Sequence, residues 1–394
     1  MTVVVVGGGV LGMMHALEAR RLGHDVVHLE REPGSRGASV RNFGLIWVSG
    51  RAPGPELELA RRARVRWDEI ASDVPGVGLR PNGSLTLATD DAELQLLKEA
   101  AALPDASLRG CELLDQAAAR SVNPALRGEF AGALLCRRDA LVEPRLVPSA
   151  LRDHLQAAAP AGSYRWLPGR EAIAVGPHAV GDQTGAWHRG DLVVLCTGAA
   201  HTGVVGPHLS GRLPVPGRLP VPGSPPVSGS PPLPGRTGPH VRRVRLQMMQ
   251  TLPYPGELTT SVADGDSLRY YPAYDLPGRQ HLPPQAPEAA RSRLQLLLVQ
   301  RQDGGLTIGD THEYEEPFAF DLDEDPYDHL RSRAQRLLGA RVPRVQRRWA
   351  GVYSQVIGDD LYHRSEVAPG VVLVTGAGGR GMTCAPAIAE ETFR

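Results

Sequence analysis

Gly7, Gly9 and Gly12 stand at the spacing G-x-G-x-x-G, directly after the β-branched run TVVVV and ahead of an apolar helical stretch. Glycines so placed do phosphate chemistry by leaving room. The first admits a tight turn, the second lets a pyrophosphate approach the backbone, and the third lets helix and strand pack closely. The helix expected from about Val10 to Leu22 aims its first amides and positive dipole end at that phosphate, and Gly23 is placed to stop it. A second strand, Asp25 to Leu29, ends on Glu30, an acid suited to the two hydroxyls of an adenosine ribose. A glycine-rich turn in an unrelated α/β domain would have no need of that acid. The ribose contact does not distinguish FAD from NAD.

The elements that must hold these residues recur along the chain. Val3 to Val6 reads as a strand buried on both faces of a parallel sheet. DLVVLCTGA, ending at Thr197-Gly198, is a second buried strand running into glycine. Val371 to Val374, the glycines of 376–381 and a helix near Met382 make a third. One nucleotide-binding fold is therefore expected from three separated pieces of chain. Between them, helices are expected at Pro55–Ser72, Ala92–Ala102 with Asp90 as its cap, 112–120, and from near Pro148. A strand is expected at Ser84–Ala88, and short strands and turns over 164–200. Residues 212–235 read as four imperfect proline-rich hexads, RLPVPG RLPVPG SPPVSG SPPLPG. Such a segment suits a solvated, partly polyproline-like loop better than an element interior.

Composition excludes several classes. Lys plus Arg and Asp plus Glu are 43 each, so no charge excess calls for nucleic acid or an anionic membrane surface. No apolar run is long enough to span a bilayer, and with the first strand beginning at residue 2 no signal peptide is expected. The four cysteines, Cys111, Cys136, Cys196 and Cys384, form no CxxC pair. They read as reduced thiols of a cytoplasmic protein, with no metal site.

The three glycine returns and Glu30, with RNFG (Arg41 to Gly44), LVEPRLVPSAL (141–151) and TGAGGRGMT, resemble the FAD-dependent oxidoreductases related to D-amino acid oxidase, glycine oxidase and monomeric sarcosine oxidase. The resemblance covers nearly all of the chain outside the hexads. It implies an α/β fold: a discontinuous Rossmann-like FAD-binding domain (1–80, 141–210 and 340–394) and an α+β substrate domain with a largely antiparallel sheet (81–140 and 240–339). Residues 211–239 would be an insertion. Noncovalent FAD is expected, since no cysteine occupies a recognisable attachment site. Its contacts would come from Gly7, Gly9, Val10, Leu11, Gly12, Glu30, Arg31, Arg41, Asn42, Phe43, Gly44, Thr197, Gly198, Gly378, Gly379, Arg380, Gly381, Met382 and Thr383. RNFGLIWVSG, GDTHEYEEPF and GAGGRGMT further resemble a bacterial branch associated with organophosphonate catabolism.

The chemistry implied is oxidation of the C–N bond of a small amine, with electrons passing to flavin and then to O2. A dehydrogenase using another electron acceptor and a flavin-binding protein without turnover are the alternatives. Such oxidation asks little of side chains beyond orientation and a home for developing negative charge, which the amides of Gly378 to Gly381 are placed to provide. The relatives grip a substrate carboxylate with an arginine in A-G-x-R-P. Here the stretch reads WAGVYSQV, and Tyr353 falls at that place. Arg380 is then a candidate anion clamp, with a salt bridge to a nearby acid as the other reading. Tyr271, His312, Tyr353 and Arg380 are the substrate candidates. Tyr270 and Tyr314 belong to the same aromatic stretches, while Gln247 and Met248 read as packing on a long strand beneath the flavin. None of these is assigned a certain catalytic role.

Overall fold

Runs of valine decide the architecture. Val3, Val4 and Val5 are fully buried, because their strand, Thr2–Val6, is flanked on both sides by parallel partners, Leu192–Leu195 and Asp25–Glu30. The computed structural model describes residues 1–158, 160, 162–200, 203–206 and 241–394. The proline-rich hexads lie outside the described residues.

Among these, one sheet runs in the order His363–Ala368, Val371–Thr375, Leu192–Leu195, Thr2–Val6, Asp25–Glu30, Tyr164–Pro168. Its pairs are parallel except at the His363–Ala368 edge. The three strands that lead into glycine are thus immediate neighbours, and their turns leave the sheet at one edge. The helix Val10–Arg21 packs on Gly381–Thr392, which packs on Pro55–Asp73. Small residues at the contact, among them Ala16, Ala19, Ala385 and Ala389, let these helices approach.

The second, larger sheet runs in the order Val345–Val356, Val241–Pro253, Gly305–Gly309, Leu297–Gln300, Ser261–Ala263, Ser84–Ala88, Gly132–Cys136, Cys111–Leu114. It is antiparallel except where Ser261–Ala263 meets Ser84–Ala88. The fold is the expected mixed α/β class, a parallel sheet with helices beside a largely antiparallel one.

Three details differ from the expectation. Residues 345–356, grouped by sequence with the nucleotide-binding segments, pair along Val241–Pro253 in the large sheet. Residues 112–120 are not one helix. Cys111–Leu114 is a strand, and the helix starts at Gln116 because Asp115 accepts the Ala118 amide at 2.7 Å and caps it there. Cys111 and Cys136, far apart in sequence, face each other across two strands with their sulfurs 2.9 Å apart, both as free thiols. The Asp90 cap is present, accepting the Glu93 amide at 2.8 Å. Among the described residues no helix is long and apolar enough to cross a membrane, and no cluster of His, Cys, Asp and Glu could hold a metal ion.

Candidate active site

The glycine turn is built by exclusion of volume. Gly7 has φ +104°, and a Cβ there would strike the Cys196 carbonyl oxygen. A Cβ on Gly12 would strike the Gly7 carbonyl. His28 fixes the same carbonyl through Nε2 at 2.9 Å and accepts the Tyr164 hydroxyl on Nδ1 at 3.2 Å. A carbonyl only accepts, so the proton is on Nε2. Burial lowers the His28 pKa to about 4, and the ring stays neutral. Sequence reasoning missed His28, although an imidazole on a buried strand facing a glycine turn is a usable signal.

Glu30 serves the turn directly. Its Oε2 accepts the Gly8 amide at 2.6 Å and its Oε1 the Glu32 amide at 2.9 Å. Each oxygen keeps a lone pair for a further donor. Ser39 Oγ accepts the Val10 amide at 2.8 Å. The Gly9 and Leu11 amides have no protein acceptor among the described residues. Arg31 is exposed, 3.9 Å from Glu32.

These groups open one wall of a cleft of about 1080 Å³ that runs between the sheets. Such a volume exceeds the roughly 300–1,000 Å³ usual for small-molecule sites, as a long two-part cofactor beside a small substrate requires. Gly7, Gly9, Val10, Leu11, Glu30, Arg31, Arg41, Asn42, Phe43, Thr197, Gly198, Gly378, Gly379, Arg380, Gly381 and Met382 all line it. The Thr197 hydroxyl is buried without a partner.

Gly44 and Thr383 stand behind the lining. Gly44, φ +73°, packs on the Val142 carbonyl. Thr383 is fully buried and its hydroxyl accepts the Trp47 amide at 2.9 Å, so it braces the wall from behind. Asn42 lines the cleft but spends its carboxamide on its own loop, donating to the Ala38 and Ser39 carbonyls and accepting the Gly44 amide. Arg41 donates to the Ala350 carbonyl at 3.1 Å. The buried Arg301 guanidinium holds this loop by donating to the Phe43 and Val142 carbonyls.

At the other end the large sheet contributes a polar aromatic chamber. Tyr270 and His312 rings lie 4.2 Å apart, Tyr270 and Tyr271 5.1 Å, and Tyr271 and Trp47 5.6 Å. His312 is buried. Its Nδ1 donates to the Arg293 carbonyl at 3.1 Å, which leaves Nε2 as an acceptor, and burial lowers its pKa to about 4. Tyr353 is buried with its hydroxyl beside that of Tyr270 and without a hydrogen bond of ordinary geometry. Burial raises the pKa of both tyrosines, so both stay protonated. A Cβ on Gly379 would stand 3.7 Å from the Tyr270 hydroxyl, so the chamber abuts the C-terminal glycine turn. Gln247 and Met248 are buried on Val241–Pro253, and Met248 packs in the core beneath.

Arg380 is committed to the protein. Its Nε donates to Glu56 at 3.1 Å and its Nη1 to the Leu361 carbonyl at 2.7 Å. Glu56 also lies 3.6 Å from Arg51. Two guanidinium groups against one carboxylate leave a surplus positive charge in this wall. Sequence reasoning also missed Arg51, Glu56, Gln295 and Asp310, all of which line the chamber. An acid immediately after the strand GLTIG was the available signal for Asp310.

A parallel sheet with glycine turns at one edge, opening on a chamber walled by a second sheet, defines an enzyme that holds a dinucleotide cofactor against a small substrate. The family model for FAD dependent oxidoreductases (DAO) matches residues 2–394. The chain belongs to that family, and FAD is its cofactor. It is 31% identical over 210 residues to a putative thiamine biosynthesis oxidoreductase ThiO of Rhizobium etli, covering 52% of this chain and 56% of that protein. It is 43% identical over 51 residues to a D-amino acid dehydrogenase of Helicobacter pylori, covering 13% and 12%. The chain thus spans about half or less of the length of these curated relatives. Among solved structures, glycine oxidase from Geobacillus kaustophilus superposes with a TM-score of 0.73 at 18% identity, covering 99% of this chain and 93% of that one. FAD-bound L-α-glycerophosphate oxidase from Mycoplasma pneumoniae gives 0.71 at 15%, covering 100% and 94%. At such identities the likeness concerns the fold.

Proposed function

We propose that this protein oxidises a small amine that carries an anionic group set apart from the reacting carbon, an aminophosphonate or N-methylated amine being the candidate class. The observation that carries the reading is the chamber itself. A carboxyl without an ion pair, a neutral imidazole and the neighbouring hydroxyls of Tyr270 and Tyr353 line the same cleft as the Arg51–Glu56–Arg380 cluster. FAD, when bound, supplies a two-electron acceptor for the amine's C–H bond.

The residues fit that cofactor. Gly7, Gly8 and Gly12 leave no room for side chains because the turn packs on the Cys196 carbonyl, on Trp166 and Glu30, and on its own Gly7 carbonyl, while Gly9 faces the cleft where a pyrophosphate would approach. The Gly9 and Leu11 amides suit its pyrophosphate, the spare lone pairs of Glu30 its ribose, and the partnerless Thr197 hydroxyl lies along the way. Gly378 to Gly381 and the surplus charge of Arg51 and Arg380 suit developing negative charge at the flavin edge or an anionic substrate tail. FAD should be held noncovalently. The cleft-lining cysteine, Cys196, turns its sulfur to His15 at 3.7 Å, and burial raises its thiol pKa, so it offers no thiolate.

With Tyr353 standing where the relatives' carboxylate arginine would be, glycine, sarcosine and D-alanine should be poor substrates. The purified protein should be yellow, release FAD on acid denaturation, and bleach anaerobically with an amine bearing a displaced phosphonate or similar anion. Readmitted O2 should then yield hydrogen peroxide. The same reaction without peroxide would make it a dehydrogenase. Strong bleaching by D-alanine or glycine would overturn the displaced-anion reading.

A further inference from the structure

Asp310 is a buried carboxyl of the cleft that forms no ion pair among the described residues. It follows the strand Gly305–Gly309, is 4% exposed and lines the cleft. Its backbone exchanges hydrogen bonds with Gln295 in both directions, at 2.8 and 3.2 Å, which fixes its position. Its Oδ1 accepts the Gln295 carboxamide at 3.1 Å, and Oδ2 takes no hydrogen bond of ordinary geometry. No cation forms an ion pair with it among the described residues. A Cβ on the preceding Gly309 would stand 3.2 Å from the Phe43 ring, so the backbone just before Asp310 adjoins the RNFG loop.

The groups facing Asp310 are aromatic and neutral. Tyr270 and Tyr271 approach from the segment 267–274, Tyr353 from the strand Val345–Val356, and Tyr314 from beyond His312. His312 is held neutral. The charged groups around are Arg293 and Arg242, both lying over the outer Tyr314 ring, and Arg51, which shares the Glu56 carboxylate with Arg380. An unpaired carboxyl among aromatic faces is a place for a cation. Anions would meet a second negative charge there.

We propose that Asp310 receives the amine's cationic end and takes its proton. The exchange balances as ammonium plus carboxylate giving neutral amine plus carboxylic acid, and it restores the nitrogen lone pair on which C–N oxidation depends. The inference rests on the amine-oxidising reading given above. Magnitudes decide between the two candidate bases. Burial raises the Asp310 pKa to about 7, against the opposing Gln295 bond, whereas burial leaves His312 at about 4. A base working near neutral pH is best matched near 7.

The test uses the FAD-loaded protein and the variant Asp310→Asn, which preserves shape. Tetramethylammonium serves as a cation with no proton to lose and no lone pair to support oxidation. Its binding, followed by the flavin spectrum or calorimetry, should tighten as pH rises through about 7 in the wild type and be weak and flat in the variant. Anaerobic reduction by a reactive amine should fall about 100-fold or more in the variant at pH 7. The deficit should narrow above the amine's own pKa, where free amine needs no acceptor. A merely structural role would not move that pH profile. Unchanged tetramethylammonium affinity, or a deficit equal at every pH, would overturn the role of Asp310 whichever amines react. Wild-type cation binding with no amine oxidised would instead sink the amine reading, and with it proton acceptance.

Discussion

Tyr353 and Thr383 show how alike two buried hydroxyls look in sequence and how differently they should respond to removal. The Tyr353 hydroxyl is buried beside that of Tyr270 without a hydrogen bond of ordinary geometry, so Tyr353→Phe should cost the fold little, about 1 kcal/mol or less. A substrate that uses that hydroxyl should show a KM raised roughly tenfold with FAD content unchanged. Thr383→Val removes the acceptor of the Trp47 amide, a buried group. It should cost about 1–3 kcal/mol of stability and leave kcat nearly untouched. Thermal melts beside steady-state kinetics separate the two. A destabilised Tyr353→Phe with normal KM would make that residue structural. Residue chemistry was legible in the sequence at these positions, but partners were not. Arg380 meets Glu56 across 324 residues, and no local pattern announces such a pair.

At the scale of elements, the glycine turns were the most legible part of the molecule, because Gly7 and Gly12 answer local steric demands. The demands differ in severity, which makes them testable. A Cβ on Gly12 meets backbone, the Gly7 carbonyl, which cannot retreat. A Cβ on Gly9 meets the Ser39 hydroxyl at 3.1 Å, a side chain that can give. Gly12→Ala should therefore abolish soluble FAD-loaded protein or lower Tm by more than about 5 °C. Gly9→Ala should fold near normally and lose FAD affinity, since its methyl stands where the pyrophosphate must approach. Soluble yield, Tm and the FAD-to-protein ratio read this out. Equal tolerance of both changes would remove the close-packing account of Gly12. The chamber was far less legible. Arg51, Tyr271, Gln295 and Asp310 lie on different elements of the chain, and only the pairing of the large sheet and its packing on the glycine turns collects them.

The whole molecule carries these buried titratable groups as a dependence of stability on pH. His15, His28 and His312 are neutral in the fold, each lowered by burial to about 4. Their unfolded value is about 6.5, so the unfolded chain binds protons first as pH falls. Their contribution is complete above about pH 6.5 and is lost progressively toward pH 4. Each lowering of about 2.5 units corresponds to roughly 3 kcal/mol. Asp310 acts in the opposite sense. Its pKa is raised to about 7, so its stabilising contribution is present at low pH and lost as pH rises from about 4 to 7. The net slope mixes these signs, and a single substitution isolates one of them. His28→Gln keeps an N–H donor in reach of the Gly7 carbonyl and removes the titration. Between pH 6.5 and 4 the wild type should lose roughly 3 kcal/mol more than His28→Gln, measured by denaturant unfolding across that range. Parallel curves would mean that His28 is protonated in the fold, and that the glycine turn is not held by a neutral imidazole.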